Sequence, residues 1–441
     1  MHSLLAGLCF LICAAEIMPP LKFDAKWISH PENGSVAVQF SSNIPCGGGL
    51  EYRLSGEKNW HRINHTMAGQ IVRGDWLHRF RLRGEPGKVY EYRGVLIHPE
   101  EREKEFFSPV EKIRLPSAEK RSYSFAAMAD FQFSREACLQ LISTYSRLTG
   151  MGACDFVATL GDMSMEFRSM DADVLEKWVR PVTKSFPSLP WVPVRGNHEW
   201  RGGASLDWVR TVGEPESTLP YYAFRYGPDC FVVLDSFEDK PDRRKGHLYT
   251  YYHDSAEYRK QQRAWLEKLV ETPLFKDARY RIVLVHCTAY GQANGFNVKY
   301  VRDLTAGLLD RPDPQYRVHL MLGGHLHTYM RGMPGEDVLY WHVPTESQLK
   351  SSRTSGKYFP YPVVLQDGPG GACDSSASRV EVSDRGIEVR SFVKDGTVID
   401  HVLFKPDGSA QVMVSPPGRK VTDRGAWMKD GTVICPVFQK K

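Results

Sequence analysis

Residues 316–332 read YRVHLMLGGHLHTYMRG, an apolar run closed by two glycines and followed at once by two histidines. The stretch up to Leu322 has the composition of a buried strand, and Gly323 and Gly324 end it in a loop. On a continuing strand His325 and His327 would share one face, because residues two apart project the same way. Past a strand end they can instead turn into one crevice, which is where open α/β sheets bind their ligands. Taken alone, the pair is as compatible with a surface stripe as with a metal site. The neighbouring strands decide between the two.

The same grammar recurs upstream. YSFAAMAD, DFVATLGD, WVPVRGNHE, DCFVVLDS and YRIVLVHC are apolar strands, and helical stretches such as SREACLQLISTYSRLTG and SAEYRKQQRAWLEKLVE lie between them. Strand–helix alternation over this length predicts an α/β domain with helices covering a sheet. Five strands end in groups able to bind a metal: Asp130 with Gln132 two further on, Asp162, Asn197 with His198, His286, and His325 with His327. One strand-terminal Asp is ordinarily a cap or turn former, and one His a satisfied core residue. Five in succession point to a shared centre. Carboxylate and amide oxygens mixed with imidazoles suit Zn, Mn, Fe or Co better than Ca or a thiolate centre.

The flanks read differently. Residues 21–117 are short β-forming runs separated by Gly, Pro and Asn, which predicts an antiparallel β-sandwich. It has no clustered His, Asp or Glu and is expected to supply no metal ligand. The α/β part is expected over 122–405, closing with β-hairpins that turn at Asp384-Arg385-Gly386 and Asp395-Gly396. Residues 406–441 show little pattern and read as an appendage. Leu4–Ala15 is apolar and uncharged, too short to span a bilayer and of signal-peptide length. Residues 1–15 are therefore expected to be an export signal, leading to a periplasmic or secreted protein with no membrane span. Of nine cysteines, Cys9 and Cys13 fall in that segment. The remainder are scattered, odd in number and free of C-x-x-C spacing, so mostly buried thiols are expected. A net charge of +5 over 441 residues makes no case for a nucleic-acid partner.

The series Asp130-x-Gln132, Gly161-Asp162, Gly196-Asn197-His198-Glu199, Val283-x-x-His286 and Gly324-His325-x-His327 resembles the calcineurin-like metallophosphoesterases. More narrowly it is similar to the purple acid phosphatase branch, whose G-H-x-H-x-Y-x-R is matched by GHLHTYMR, over about residues 25–400. The resemblance implies a fibronectin-III-like sandwich ahead of a four-layer, two-sheet α/β catalytic domain. It also implies a dinuclear centre. Asp162 would bridge the ions, Asp130 and His327 would complete one site, and Asn197, His286 and His325 the other. His198 would lie beside the phosphate and stabilise charge or protonate the leaving oxygen. The implied activity is hydrolysis of a small phosphorylated substrate, with a monoester expected. A phosphodiesterase on the same centre and a non-catalytic exported binding protein with a degraded site remain open.

Two positions depart from the branch. Its G-D-x-x-Y tyrosinate, which binds a ferric ion and gives the colour, is replaced in GDMSM by Met165, a soft and poor ligand for a trivalent ion. Gln132 stands where the branch has Gly and other members have His; its amide oxygen is either a replacement ligand or uninvolved. Two divalent ions (Zn, Mn or Fe) and no purple colour are expected. Arg195, Tyr290, Tyr329 and Arg331 are placed to touch substrate; the alternatives are a loop salt bridge for each arginine and a core ring for each tyrosine. Cys287, next to His286, reads as a small buried strand-end residue rather than a nucleophile.

Overall fold

A computed structural model describes residues 19–415 except 102, 133, 241, 243–252, 290–295, 336–338, 341–358, 367 and 369–374, together with 420–421, 427–429 and 432–433. The expected export signal and Tyr290 lie outside the described residues.

Two large sheets form the body. In the first, Tyr123–Met128, Phe156–Thr159 and Trp191–Pro193 run parallel. Ser376–Ser383 joins Tyr123–Met128 antiparallel, and the hairpin strands Gly386–Val393 and Val398–Phe404 extend that edge. In the second, Asp229–Leu234, Arg281–Val285, Leu320–Gly323 and Val363–Leu365 are parallel, with Tyr222–Tyr226 antiparallel at one edge. Parallel strands covered on both sides need apolar residues at nearly every position, and these have them.

Alternation along each strand assigns the layers. Phe125 and Ala127 point between the sheets and meet Ile282 and Leu284 of the second sheet in one core. Their neighbours Ala126 and Met128 point outward, under Leu141, Ile142 and Tyr145 of the helix Arg135–Leu148. Val283 and Val285 point outward on the other side, under Leu266 and Leu269 of the helix Ser255–Leu269. The order is helix, sheet, sheet, helix. Helix Arg135–Leu148 starts where the Ser134 hydroxyl accepts from the Ala137 amide at 3.3 Å, with Glu136 in its first turn and Arg147 in its last.

The N-terminal part consists of strands. Its 20-residue strand Ser35–Leu54 pairs first with Phe23–Glu32 and Asp75–Arg83, then with His61–Asn64 and Val89–Ile97. Ile28, Val36, Phe40, Leu50, Phe80 and Tyr92 close its own core. This part is continuous with the two-sheet body rather than tethered to it. Ser29 pairs in parallel with Trp191, so Phe23–Glu32 extends the first sheet. Asn33 exchanges two hydrogen bonds with the Gly227 backbone, at 2.8 and 3.0 Å.

The C-terminal reading is corrected. Residues past 405 are not all an appendage: Ala410–Val414 pairs with Val398–Phe404, and Lys420–Val421 pairs with Leu339–Tyr340. The edge strand Ala410–Val414 is largely exposed on both faces, so its sequence carries no inside–outside alternation to read. Cys46, Cys154 and Cys230 are buried free thiols, and Cys138 and Cys287 are buried as well. No helix among the described residues is long and apolar enough to cross a membrane.

Candidate metal centre

The strands of both sheets deliver their polar ends to one place. The chain bends sharply there: Asp130, Asp162, His325 and His327 have φ of 61°, 59°, 75° and 52°, half of all the positive-φ non-glycine residues described. Each such conformation costs roughly 1–3 kcal/mol and persists only where the surroundings enforce it. The bends turn the side chains off their strand axes and into a common crevice. Glycines make room. At Gly196 a Cβ would come within 2.2 Å of the Asp162 carboxylate, and at Gly161 within 2.7 Å of His286 Nδ1.

Asp162, His286 and His325 bring ligand atoms within 4.8 Å of one another. Asn197 Oδ1 joins them, 3.1 Å from His286 Nε2 and 2.8 Å from His325 Nδ1. His286 Nδ1 lies 2.7 Å from the Leu160 carbonyl, which fixes the proton there and leaves Nε2 to the cluster. Asp162 Oδ2 is 3.0 Å from His286 Nε2 on one side and accepts from the Gln132 amide at 2.6 Å on the other. Around that amide stand Asp130 Oδ1 at 3.4 Å and His327 Nε2 at 3.2 Å. His327 Nε2 is itself 3.4 Å from Asp130 Oδ1. Two donor groups thus flank one carboxylate. Three imidazoles, the Asn197 and Gln132 amides and two carboxylates form a donor set suited to a cation.

Electrostatics match this crowding. Burial opposes ionisation of Asp162, yet His286 and His198 hold its carboxyl well below the usual carboxylate range. His286 is raised to about 10 against its burial by Asp162. His325 is lowered to about 4 by burial and by His286.

His198 stands beside the cluster. Its amide donates to Asp162 Oδ1 at 2.9 Å, and its Nε2 is 3.8 Å from Asp162 Oδ2. Nδ1 is 2.6 Å from the Met165 carbonyl, and Arg201 Nη1 is 2.9 Å from Nε2. A carbonyl only accepts and a guanidinium only donates, so the network assigns the proton to Nδ1. Burial and Arg201 lower the His198 pKa, against Asp162.

Residues 123–329 match the family model described as Calcineurin-like phosphoesterase. The chain carries a calcineurin-like phosphoesterase domain. Purple acid phosphatase 1 of Ipomoea batatas is 23% identical over 245 residues, 51% of this chain and 45% of its own length. The purple acid phosphatase of Glycine max is 24% identical over 230 residues, 51% of this chain and 46% of its own. The Fe(3+)-Zn(2+) purple acid phosphatase 12 of Arabidopsis thaliana is 25% identical over 224 residues, 49% and 45%. The chain spans about half the length of the curated relatives it matches. The solved purple acid phosphatase PPD1 from yellow lupin (Lupinus luteus) seeds has a TM-score of 0.57 at 14% identity, covering 85% of this chain and 73% of that one. That likeness establishes the fold.

Within this phosphoesterase domain, Asp130, Gln132, Asp162, Asn197, His198, His286, His325 and His327 are brought together. Arg195 is near but buried, with its guanidinium 4.1 Å over the Trp200 ring. Tyr329 and Arg331 are corrected. Both are buried, and the Tyr329 hydroxyl and Arg331 Nε each donate to Asp400 Oδ2 at 2.6 Å, so these side chains hold the core together. Their partner is some seventy residues on, beyond the reach of motif reading. Burial pushes the Cys287 thiol well up, as a structural cysteine requires.

Two residues escaped the sequence reading. Glu199 is fully buried and accepts from the backbone amides of Asp162, Met163 and Gly196 at 3.0, 2.6 and 2.7 Å, clamping two ligand-bearing turns together. Its place in Gly196-Asn197-His198-Glu199 was a usable signal. Arg201 had none: it is held by Glu238 and Asp239, which are remote in sequence.

Proposed function

We propose that this protein is a metal-dependent phosphohydrolase that cleaves small phosphate monoesters at a dinuclear centre. The observation that carries the reading is Asp162, whose carboxylate lies between the Asn197, His286 and His325 group and the Asp130, Gln132 and His327 group. Two divalent ions (Zn, Mn or Fe), when bound, would supply Lewis acidity and a water of lowered pKa. The protein's own part is orientation. Leu160 sets the His286 tautomer, Glu199 holds the Asp162 turn, and Arg201 with the Met165 carbonyl fixes the His198 ring. His198 Nε2, an acceptor in this network, is proposed to take up a proton first and then pass it to the leaving oxygen. Gln132 would serve as a ligand by turning its amide oxygen inward, since amide oxygen and nitrogen exchange by a simple flip. The N-terminal strands are proposed to form a fibronectin-III-like sandwich over 21–117, and the protein to be exported.

A second reading has one observation in its favour. Gln132 now directs its amide nitrogen at Asp130, Asp162 and His327, which suits a binding protein that keeps a single ion.

Metal content and turnover of a mono- and a diester reporter, measured on the wild type and three variants, separate these. Asp162→Asn should deplete both ions and abolish activity. His286→Ala should deplete one. His198→Ala should keep both and lose roughly 10²–10⁴-fold in rate, as expected for a general acid. Equal metal loss in His198→Ala and His286→Ala would sink the division of roles, and one ion without turnover would favour the binding protein.

A further inference from the structure

The residues that bracket the His198 ring also open onto a second space. Arg201, which reaches His198 Nε2, and Glu166, the neighbour of Met165, both line a cavity of about 930 Å³. That volume lies in the range of small-molecule sites, roughly 300–1,000 Å³. Much of the wall is apolar: Trp200, Leu206, Val209 and Leu219. Leu206, one of these lining residues, is 64% exposed.

Two polar atoms of residues in this wall lack a partner, Arg195 Nε and His253 Nδ1. Arg195 is 5% exposed and its Nε has no hydrogen-bond partner. Its counter-ion Asp235 is 3.4 Å away and is shared with the Trp200 indole N–H at 3.2 Å and the Tyr258 hydroxyl at 2.9 Å. A buried donor without an acceptor is costly, and because Arg195 lines the cavity, a ligand oxygen there can take a charge-assisted hydrogen bond from its guanidinium.

We infer that this cavity is the leaving-group pocket, and that it takes phosphate monoesters of bulky, apolar, preferably aromatic alcohols bearing an acceptor such as a carboxylate for Arg195. The inference rests on the phosphohydrolase reading, because the pocket adjoins the histidine assigned to the leaving oxygen. Hydrolysis breaks the bond from phosphorus to the ester oxygen and forms one from phosphorus to a water oxygen. The proton His198 gives to the departing alcohol is replaced by the one the water loses. The alcohol then occupies the apolar wall, which a small polar alcohol such as glycerol would leave wet.

Gly203 supplies the test. It lines the cavity, and a Cβ there meets nothing within 4 Å, so Gly203→Leu should add bulk to the wall from an unobstructed Cβ. The substrates are 1-naphthyl phosphate, 3-carboxy-2-naphthyl phosphate and glycerol 2-phosphate, with variant ratios compared to wild-type ratios so that intrinsic reactivity cancels. Gly203→Leu should lower the naphthyl-to-glycerol ratio of kcat/KM at least fivefold. Arg195→Met should abolish at least fivefold of the advantage of the carboxylated over the plain naphthyl ester. If Gly203→Leu fails to fold, Leu206→Ser should shift the first ratio the same way. Ratios within twofold of wild type in these variants overturn the pocket. If the wild type hydrolyses none of the three, the phosphohydrolase reading falls, and calorimetric binding of 1-naphthyl phosphate still decides the pocket: affinity at least fivefold weaker in Gly203→Leu supports it, while absent or unchanged binding overturns it.

Discussion

Glu199 shows how a residue outside the proposed ligand set can govern the candidate centre. Its carboxylate gathers three amides from the turns that carry Asp162 and Asn197, although burial and the Asp162 charge push its pKa up to about 7. Removing a buried acceptor strands those donors, so Glu199→Ala should cost about 3 kcal/mol of stability and deplete metal. Thermal unfolding and metal analysis check both parts; full metal content would refute the clamp. Met165 makes the opposite point. Its side chain is 55% exposed and only its carbonyl is used, by His198. The buried Tyr329 hydroxyl is committed to Asp400 and supplies no phenolate. Iron-loaded protein should therefore show no intense visible band, and a purple wild type would overturn this account.

Turns and strand ends carry their own predictions. At Gly196 an added methyl would collide with Asp162 at both its carboxylate and its amide, 2.2 and 2.5 Å away. Gly196→Ala should push the two turns apart and lose metal-dependent activity at least 100-fold, a loss equal to about 2.7 kcal/mol; near-normal turnover would show that the turns can give. On the second sheet, His319 precedes the strand Leu320–Gly323, where its Nδ1 accepts from the Arg281 amide at 3.2 Å. Burial, then Arg281 and Arg317, lower its pKa to about 3. The unfolded chain binds a proton there near pH 6.5 and the folded chain only near 3. Its stabilising contribution is therefore complete above pH 6.5 and lost as pH falls. His319→Asn keeps an acceptor but does not titrate, so denaturant unfolding between pH 6 and 4 should lose up to about 1.4 kcal/mol per pH unit of its slope. An unchanged slope would place the acid sensitivity elsewhere.

At the largest scale the N-terminal strands and the phosphoesterase domain are joined by shared contacts and should unfold as one unit. Besides the Ser29–Trp191 pairing, Arg81 donates to Glu214, with side-chain exposures of 7% and 14%, and Arg79 donates to the Arg210 and Gly213 carbonyls. Breaking a buried ion pair by removing one partner costs about 3–5 kcal/mol. Arg81→Ala should therefore lower the midpoint of a single, cooperative unfolding transition. Two separated transitions in calorimetry of the wild type would show the parts to be independent.

Local chemistry made much of this protein legible from its residues alone. The sheet-forming parallel strands announced themselves as unbroken apolar runs, because strands buried on both faces leave no room for polar residues. Their polar ends announced a shared site, and the structure brings those ends together. Distance along the chain hid the rest. Whether Tyr329 and Arg331 faced substrate or core depended on Asp400, and the hold on His198 depended on Arg201 and its acids. The exposed strand Ala410–Val414 had no buried face to impose a pattern. Periodicity reports which side of an element is dry; only the packed chain decides which charges meet, because that depends on partners brought together from opposite ends of the sequence.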